Sequence, residues 1–266
     1  MYLENKIHRL KSILQLYGRV AIAFSGGVDS SLLLKNALDV LGAGNVLVLF
    51  GRSELLKPRE IESAKNWLAN NGYPKGIEFE EFHIQPLLRK EFTDNPENRC
   101  YLCKLRIYTL FRERMEKYGF SLLVDGTNSD DLKGNRSGLR AIHELDVKMP
   151  LVEAGFDKMD VRHFSKQLGL ASWNQASSSC LATRIPSGVE ITTDLLQRIK
   201  YWEEEVEKMG FSGCRVRMEK ERNDTLYVEI GSEDFELMLN SGIRMALRRF
   251  FHNSGIRKVY LDLEGR

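Results

Sequence analysis

Long apolar runs are missing from this sequence. No stretch approaches ~18 apolar residues, the length a helix needs to span a bilayer, so neither a transmembrane segment nor a membrane partner is expected. The opening residues, MYLENKIHRLKSILQLYG, carry Glu4, His8, Arg9 and Lys11 and lack an apolar stretch with a small-residue cleavage site, so they do not read as a signal peptide. Cysteine is scarce, with four in 266 residues. With no export signal the expected location is cytoplasmic, where thiols serve metals or catalysis more readily than disulfides. A charge excess of one sign is also absent: 39 Lys and Arg against 37 Asp and Glu leave a net charge of +2. Bulk charge therefore does not call for nucleic acid. There is no internal repeat, no low-complexity tract and no Gly-Lys-[Ser/Thr] that would grip a γ-phosphate through lysine. The five histidines are scattered and form no Ser-His-Asp arrangement.

What is present alternates between strand-like and helix-like stretches. Residues 3–17 read as an amphipathic helix, Val20 to Phe24 as a buried strand, and Ser30 to Leu41 as a helix stopped by Gly42. A strand is expected at 46–50, a helix at 58–70, a glutamate-bearing strand at 77–84, a helix at 98–117, a strand at 121–125 and a helix at 157–169. Such alternation predicts an α/β fold with a doubly wound parallel sheet. Beyond about residue 185 the pattern becomes a charged helix (192–209), strands at 214–218 and 226–230, a helix at 235–251 and a last strand at 258–263. The expected domains are thus 1–185 and a smaller α+β unit at 186–266, divided near Pro186-Ser187-Gly188.

The strongest chemical signal is Ser25-Gly26-Gly27-Val28-Asp29-Ser30, between the first strand and its helix. Gly26 and Gly27 let the backbone turn tightly and aim N–H groups at an anion, and the helix start adds further donors and a positive dipole end. Ser25 and Ser30 offer hydroxyls, and Asp29 is suited to Mg²⁺ bound to phosphates, which would otherwise repel it. Ser53, after the second strand, and Gly126, after the fourth, fall where an open α/β sheet receives a nucleotide. Cys100 and Cys103 are three apart at a predicted helix start and share one face. Spacing alone leaves several readings: a metal pair short of four zinc ligands, a redox dithiol, part of a three-thiolate [4Fe–4S] site with Cys180, or unrelated thiols. Arg184, Arg215 and Arg217 suit a substrate phosphate, the last two on one strand face, but they also suit a solvated charged face.

The loop SGGVDS resembles the signature of the PP-loop ATP pyrophosphatases, which cleave ATP between its α- and β-phosphates. Further on come Asp125-Gly126-Thr127-Asn128-Ser129-Asp130-Asp131, Asn135-Arg136-Ser137-Gly138-Leu139, Cys180-Leu181-Ala182-Thr183-Arg184-Ile185-Pro186, Arg215-Val216-Arg217 and Val259-Tyr260-Leu261-Asp262-Leu263. In that order they are similar, over nearly the whole chain, to the LarE family of sulfur transferases. The resemblance implies ATP and Mg²⁺ as cofactors and adenylylation of a carboxylate of a pyridinium dicarboxylate mononucleotide, then exchange of AMP for sulfur in nickel-pincer nucleotide synthesis. It also implies a [4Fe–4S] cluster on Cys100, Cys103 and Cys180, with Cys180 at the position that single-cysteine members sacrifice. Sulfide or another sulfur donor would be a partner, and a homo-oligomer the expected assembly. By family position Arg184, Arg215 and Arg217 would meet the substrate phosphate and Glu203 and Asp234 would be metal-site acids, although by themselves both read as surface carboxylates, with Glu203-Glu204-Glu205 a solvated helix face; Cys214 matches no ligand. Ser137 and Ser187 depart from the family's Arg-Pro-Gly and Ile-Pro-Tyr-Gly. A PP-loop tRNA thiolase and an amide-forming synthetase of the NAD/GMP type are the rival enzymes. The first lacks its RNA-binding appendage here, and the second leaves Cys100 and Cys103 unexplained.

Overall fold

Four strands, Val20–Phe24 (β1), Val46–Arg52 (β2), Glu78–His83 (β3) and Leu123–Asp125 (β4), pair in parallel in the order β3-β2-β1-β4. The computed structural model describes residues 2–73, 76–134, 137–175 and 179–265, and the side chains from residue 4 onward. Asn135 and Arg136 of the quoted motifs lie outside the described residues.

The helices are Tyr2–Tyr17 (α1), Val28–Leu41 (α2), Pro58–Lys65 (α3), Trp67–Asn70 (α4), Lys90–Thr93 (α5), Arg99–Lys117 (α6), Ser137–Glu144 (α7), Pro150–Glu153 (α8), Lys158–Gln167 (α9), Thr193–Lys208 (α10) and Ser241–Asn253 (α11). Strand side chains alternate between faces, and in β1 both faces are buried, which is why it reads as a continuous apolar run. Val20, Ile22, Phe24, Val48 and Phe50 pack with apolar residues of α1, α2 and α9. Ala21, Ala23, Leu47 and Leu49 pack with Tyr108, Phe111 and Met115 of α6 and Ile142 of α7. Helices on both faces of a parallel sheet give the doubly wound α/β fold that the sequence predicts. β3 is an edge strand whose glutamates meet cations: Glu81 pairs with Arg52 and Lys65, and Glu80 with Arg114.

The chain divides into two compact units. The first comprises Met1–Gln85 and Asn98–Ser178; the second comprises Pro86–Glu97 and Ser179–Arg266. Segment 86–97 belongs to the second unit because buried Asn95 donates from Nδ2 to the carbonyls of Pro186 (2.8 Å) and Val189 (2.9 Å). Its own carbonyl accepts from Gly188 N at 2.9 Å. In this unit Cys214–Met218 (β5), Thr225–Ile230 (β6) and Lys258–Leu261 (β7) form a sheet in that order, β5–β6 antiparallel and β6–β7 parallel. It is a separate, smaller α+β sheet, as expected.

Two helices differ from expectation. The helix at 58–70 is interrupted at Asn66, which ends α3 and precedes α4. The helix at 235–251 is a 3₁₀ segment, Ser232–Leu239, followed by α11. The break falls at Asn240, whose side chain accepts from Gly242 N (2.9 Å) and Ile243 N (3.3 Å), so a helix-capping residue starts a new helix there. No described helix is long and apolar enough to cross a membrane.

Candidate active site

In the first unit β1 ends at Phe24, and the chain turns through Ser25, Gly26 and Gly27 into α2. Gly26 has φ +78°, and a methyl there would stand 3.0 Å from Ala64 Cβ, so both conformation and space require glycine. Gly27, the N-cap of α2, has no side chain to cap the helix. The serines brace the turn: Ser25 Oγ lies 3.0 Å from Ser30 Oγ and accepts from Gly27 N at 3.3 Å, while Ser30 Oγ donates to Gly27 O at 3.1 Å. The result is a rigid glycine turn at a helix start, at the carboxyl ends of parallel strands, where anions and nucleotides bind.

Asp29 opens α2 with both carboxylate oxygens engaged. Oδ2 lies 2.6 Å from Lys158 Nζ, and Oδ1 accepts from Asn128 Nδ2 at 2.9 Å. Asp130 extends this group, accepting from Lys158 N at 2.9 Å and pairing with Lys133 at 2.6 Å. The hydrogen bonds from Lys133 and from Lys158 N hold the Asp130 carboxyl below the usual range. Asn128 is almost fully buried. Lys158, the ion-pair partner of Asp29, is a candidate-site residue that sequence reading missed. It begins α9, far along the chain from the glycine loop, and no local motif marks it.

Gly126 follows β4, and a methyl there would come within 2.7 Å of Ser30 N and 3.0 Å of Asp29 C. Backbone thus packs directly on the start of α2, which requires glycine whether or not a ligand is bound. Gly126→Ala is expected to cost about 1–3 kcal/mol through overpacking, read as a lower urea midpoint. An unchanged midpoint would mean that the two segments part easily. Just before it, buried Asp125 accepts from Tyr108 OH (2.8 Å), Thr127 N (3.0 Å) and Thr127 Oγ1 (3.0 Å), with Lys104 Nζ at 3.4 Å. Burial, then the Asp125 charge, pushes the Tyr108 hydroxyl well above its ordinary pKa, so it stays a donor. Ser53 is half-buried and its Oγ accepts from Leu55 N at 3.3 Å.

Cys100 and Cys103 lie in the first two turns of α6, one exposed and the other half-buried, and Lys104 follows directly. Cys180 belongs to the second unit, half-buried, at the head of the 3₁₀ turn Leu181–Arg184. Cys214 is buried in β5, and its Sγ lies 3.6 Å from Glu203 O. Among the described residues of either unit, no three Cys, His, Asp or Glu side chains stand together as a metal site.

The second unit gives the expected phosphate and metal residues an internal role. Arg184 is buried, with Nε 2.7 Å from Glu203 Oε1 and Nη2 3.2 Å from Oε2. Its Nη1 donates to Ser179 O (2.8 Å), Ser179 Oγ (2.7 Å) and Thr183 Oγ1 (3.0 Å), with Cys180 O at 3.3 Å. Here Arg184 binds the backbone on either side of the Cys180 side chain. Glu203 is fully buried rather than on a solvated helix face, because it neutralises Arg184 and also accepts from Val216 N at 3.1 Å. Asp234 accepts from Ser212 N and Ser212 Oγ, both at 2.8 Å, and is also buried. Arg215 and Arg217 share one face of β5 and flank Glu229. Arg217 is ion-paired with it through Nε, and Arg215 Nη1 lies at 3.6 Å. Arg217 Nη1 also donates to Thr183 O at 2.7 Å, tying β5 to the Cys180 turn.

The chain is 35% identical to an uncharacterised protein of Synechocystis sp., over 99% of this chain and 95% of that protein. It is 32% identical to the pyridinium-3,5-bisthiocarboxylic acid mononucleotide synthase of Lactiplantibacillus plantarum, over 99% of this chain and 92% of the relative. This chain belongs to the LarE family. Similarity to a glutamine-hydrolysing GMP synthase component of Thermoplasma volcanium, 32% identical over 64% of the chain and 58% of that protein, joins it to the PP-loop superfamily. No protein-family model matches the chain.

Proposed function

We propose that this LarE-family chain is an ATP-dependent sulfur transferase, one that adenylylates a carboxylate of a pyridinium dicarboxylate mononucleotide and exchanges AMP for sulfur. The reading is carried by the anion-binding turn at Gly26 and Gly27, with Asp29 fixed beside it by Lys158 and Asn128, together with near full-length similarity to a thiocarboxylate-forming synthase. In the first step a substrate carboxylate oxygen attacks the α-phosphorus of ATP. The bond from that phosphorus to the bridging oxygen breaks, and pyrophosphate leaves. Backbone N–H groups of the turn, the hydroxyls of Ser25 and Ser30, and Lys158 would stabilise the charge that builds on pyrophosphate, a task of positioning and electrostatics. Asp29 would hold Mg²⁺, exchanging its lysine for the metal, and Ser53 and Gly126 would border the nucleoside. In the second step sulfur attacks the acyl carbon and AMP departs with the electron pair of the C–O bond.

The family resemblance supports an iron–sulfur ligand set of Cys100, Cys103 and Cys180; each of these thiols is partly exposed, whereas Cys214 is buried. Those three thiolates would hold a [4Fe–4S] cluster, which would supply sulfur chemistry for the second step. Arg215 and Arg217 would take the substrate phosphate by reorienting from Glu229, and Arg184 would position the Cys180 turn.

Protein prepared without oxygen is expected to contain iron and acid-labile sulfide, and to lose both on Cys103→Ser. With ATP, Mg²⁺ and the pyridinium mononucleotide it should release pyrophosphate and form thiocarboxylate. Pyrophosphate release with glutamine or ammonia consumption instead would favour an amide-forming synthetase, to which the GMP synthase similarity points. Asp29→Ala is expected to lower kcat for pyrophosphate release about 10²–10³-fold, the scale seen when one transition-state electrostatic group is removed. Unchanged kcat would remove Asp29 from the metal site.

A further inference from the structure

A cavity of about 560 Å³ lies wholly within the second unit, between α11 and β7. Its floor is apolar, with Val228, Leu247 and Phe251, and its cationic wall is Arg244, Arg248, Arg257 and Lys258, beside His252. No Asp or Glu is among the described residues that line it. The sequence shows the same bias, because residues 237–261 hold five Arg and Lys and no acid, in a chain whose net charge is only +2.

Arg244, Arg248 and His252 are four apart and so project from one face of α11. Arg244 is held there by its bonds to Met238 O (2.8 Å) and Leu239 O (3.3 Å). Cations on successive turns repel one another, and an anion relieves that repulsion. The volume is that of a small-molecule pocket. A bare inorganic anion has no use for the apolar floor, and a hydrocarbon has none for the cations. A second copy of this face would set like charges against like.

We propose that this cavity is a binding site for a small organic anion, with a phosphate, sulfonate or carboxylate head on the α11 and β7 cations and an apolar ring on the Leu247 and Phe251 floor. The site uses none of the groups assigned to ATP or to sulfur, so it stands or falls separately from them.

The test uses the native full chain and the fluorescent aromatic anion anilinonaphthalene sulfonate. The expected result is saturable binding of one dye per chain, weakened about tenfold or more by Arg248→Glu and largely retained by Arg248→Lys. Phenyl phosphate should displace the dye at concentrations where inorganic phosphate does not. Far-UV circular dichroism checks the fold, and Lys258→Glu serves as the second charge reversal if Arg248→Glu does not fold. Equal dye affinity in the reversed variants overturns the proposal. So does displacement by inorganic phosphate as effective as that by phenyl phosphate, or a dimer by light scattering that excludes the dye and dissociates on Arg248→Glu.

Discussion

Cys180→Ser is expected to abolish thiocarboxylate formation while leaving pyrophosphate release close to wild type. In the proposed reaction the first half-reaction would draw on the glycine turn, Asp29 and Lys158, all in the first unit, and none of these is changed. The proposed second half-reaction would use a thiolate, and serine at neutral pH is neither a comparable nucleophile nor an iron ligand. Removing such a group typically lowers turnover by at least about 10³-fold. Serine keeps the Cys180 carbonyl on which the turn is built. That oxygen accepts from Thr183 N (3.0 Å) and Thr183 Oγ1 (2.8 Å), with Arg184 Nη1 close by. The measurement is paired: pyrophosphate by coupled assay and thiocarboxylate by mass spectrometry, on the same samples. Thiocarboxylate formed at the normal rate by Cys180→Ser would remove the thiol from the chemistry. A parallel fall in both products would place Cys180 in the adenylylation step instead.

The parts of this protein that were legible beforehand are those in which local sequence and tertiary demand coincide. Val20 to Phe24 is apolar throughout because both strand faces are buried, and Gly26-Gly27 stands where only glycine can turn with φ +78° against Ala64. The fold class follows from such segments. β3 gave a weaker signal because Glu78, Glu80 and Glu81 are tolerable only at a sheet edge with Arg52, Lys65 and Arg114 nearby, and that pairing cannot be seen in one strand. The attachment of residues 86–97 to the second unit was invisible for a similar reason. It depends on long-range bonds: the buried Asn95 amide reaches carbonyls some ninety residues away, and Thr93 O accepts from Ile191 N at 2.8 Å. Lys158 shows the same limit at the candidate site: its ammonium meets Asp29 across 129 positions of sequence. Residue chemistry alone also does not separate an arginine that waits for phosphate from one that holds the chain. Arg184 and Arg217 have the same guanidinium, but the first is buried on Glu203 and the second is about a third exposed on Glu229.

Glu203→Ala is expected to be the most destabilising single change in the second unit. It removes the carboxylate from a fully buried ion pair and leaves the Arg184 charge without its counter-ion, which typically costs about 3–5 kcal/mol. It also takes the acceptor from Val216 N, a buried donor in the middle of β5, and an unmet donor adds to the loss. Two controls separate these effects. Glu203→Gln keeps an acceptor for Val216 N but not the charge, so it should fall between alanine and wild type. Arg184→Met combined with Glu203→Gln removes the buried charge altogether and should recover part of the stability lost by either single change. Urea unfolding at unchanged m reads each value. The same variants distinguish the two roles open to Arg184. If it positions the Cys180 turn, Arg184→Lys lowers thiocarboxylate turnover and leaves the KM for the mononucleotide nearly unchanged, because a lysine cannot reach Glu203, Ser179 and Thr183 together. A rise in KM with turnover preserved would return Arg184 to the substrate phosphate. A Glu203→Ala protein less than ~1 kcal/mol below wild type would show that the pair is not buried as described, because the loss would match that of an exposed salt bridge.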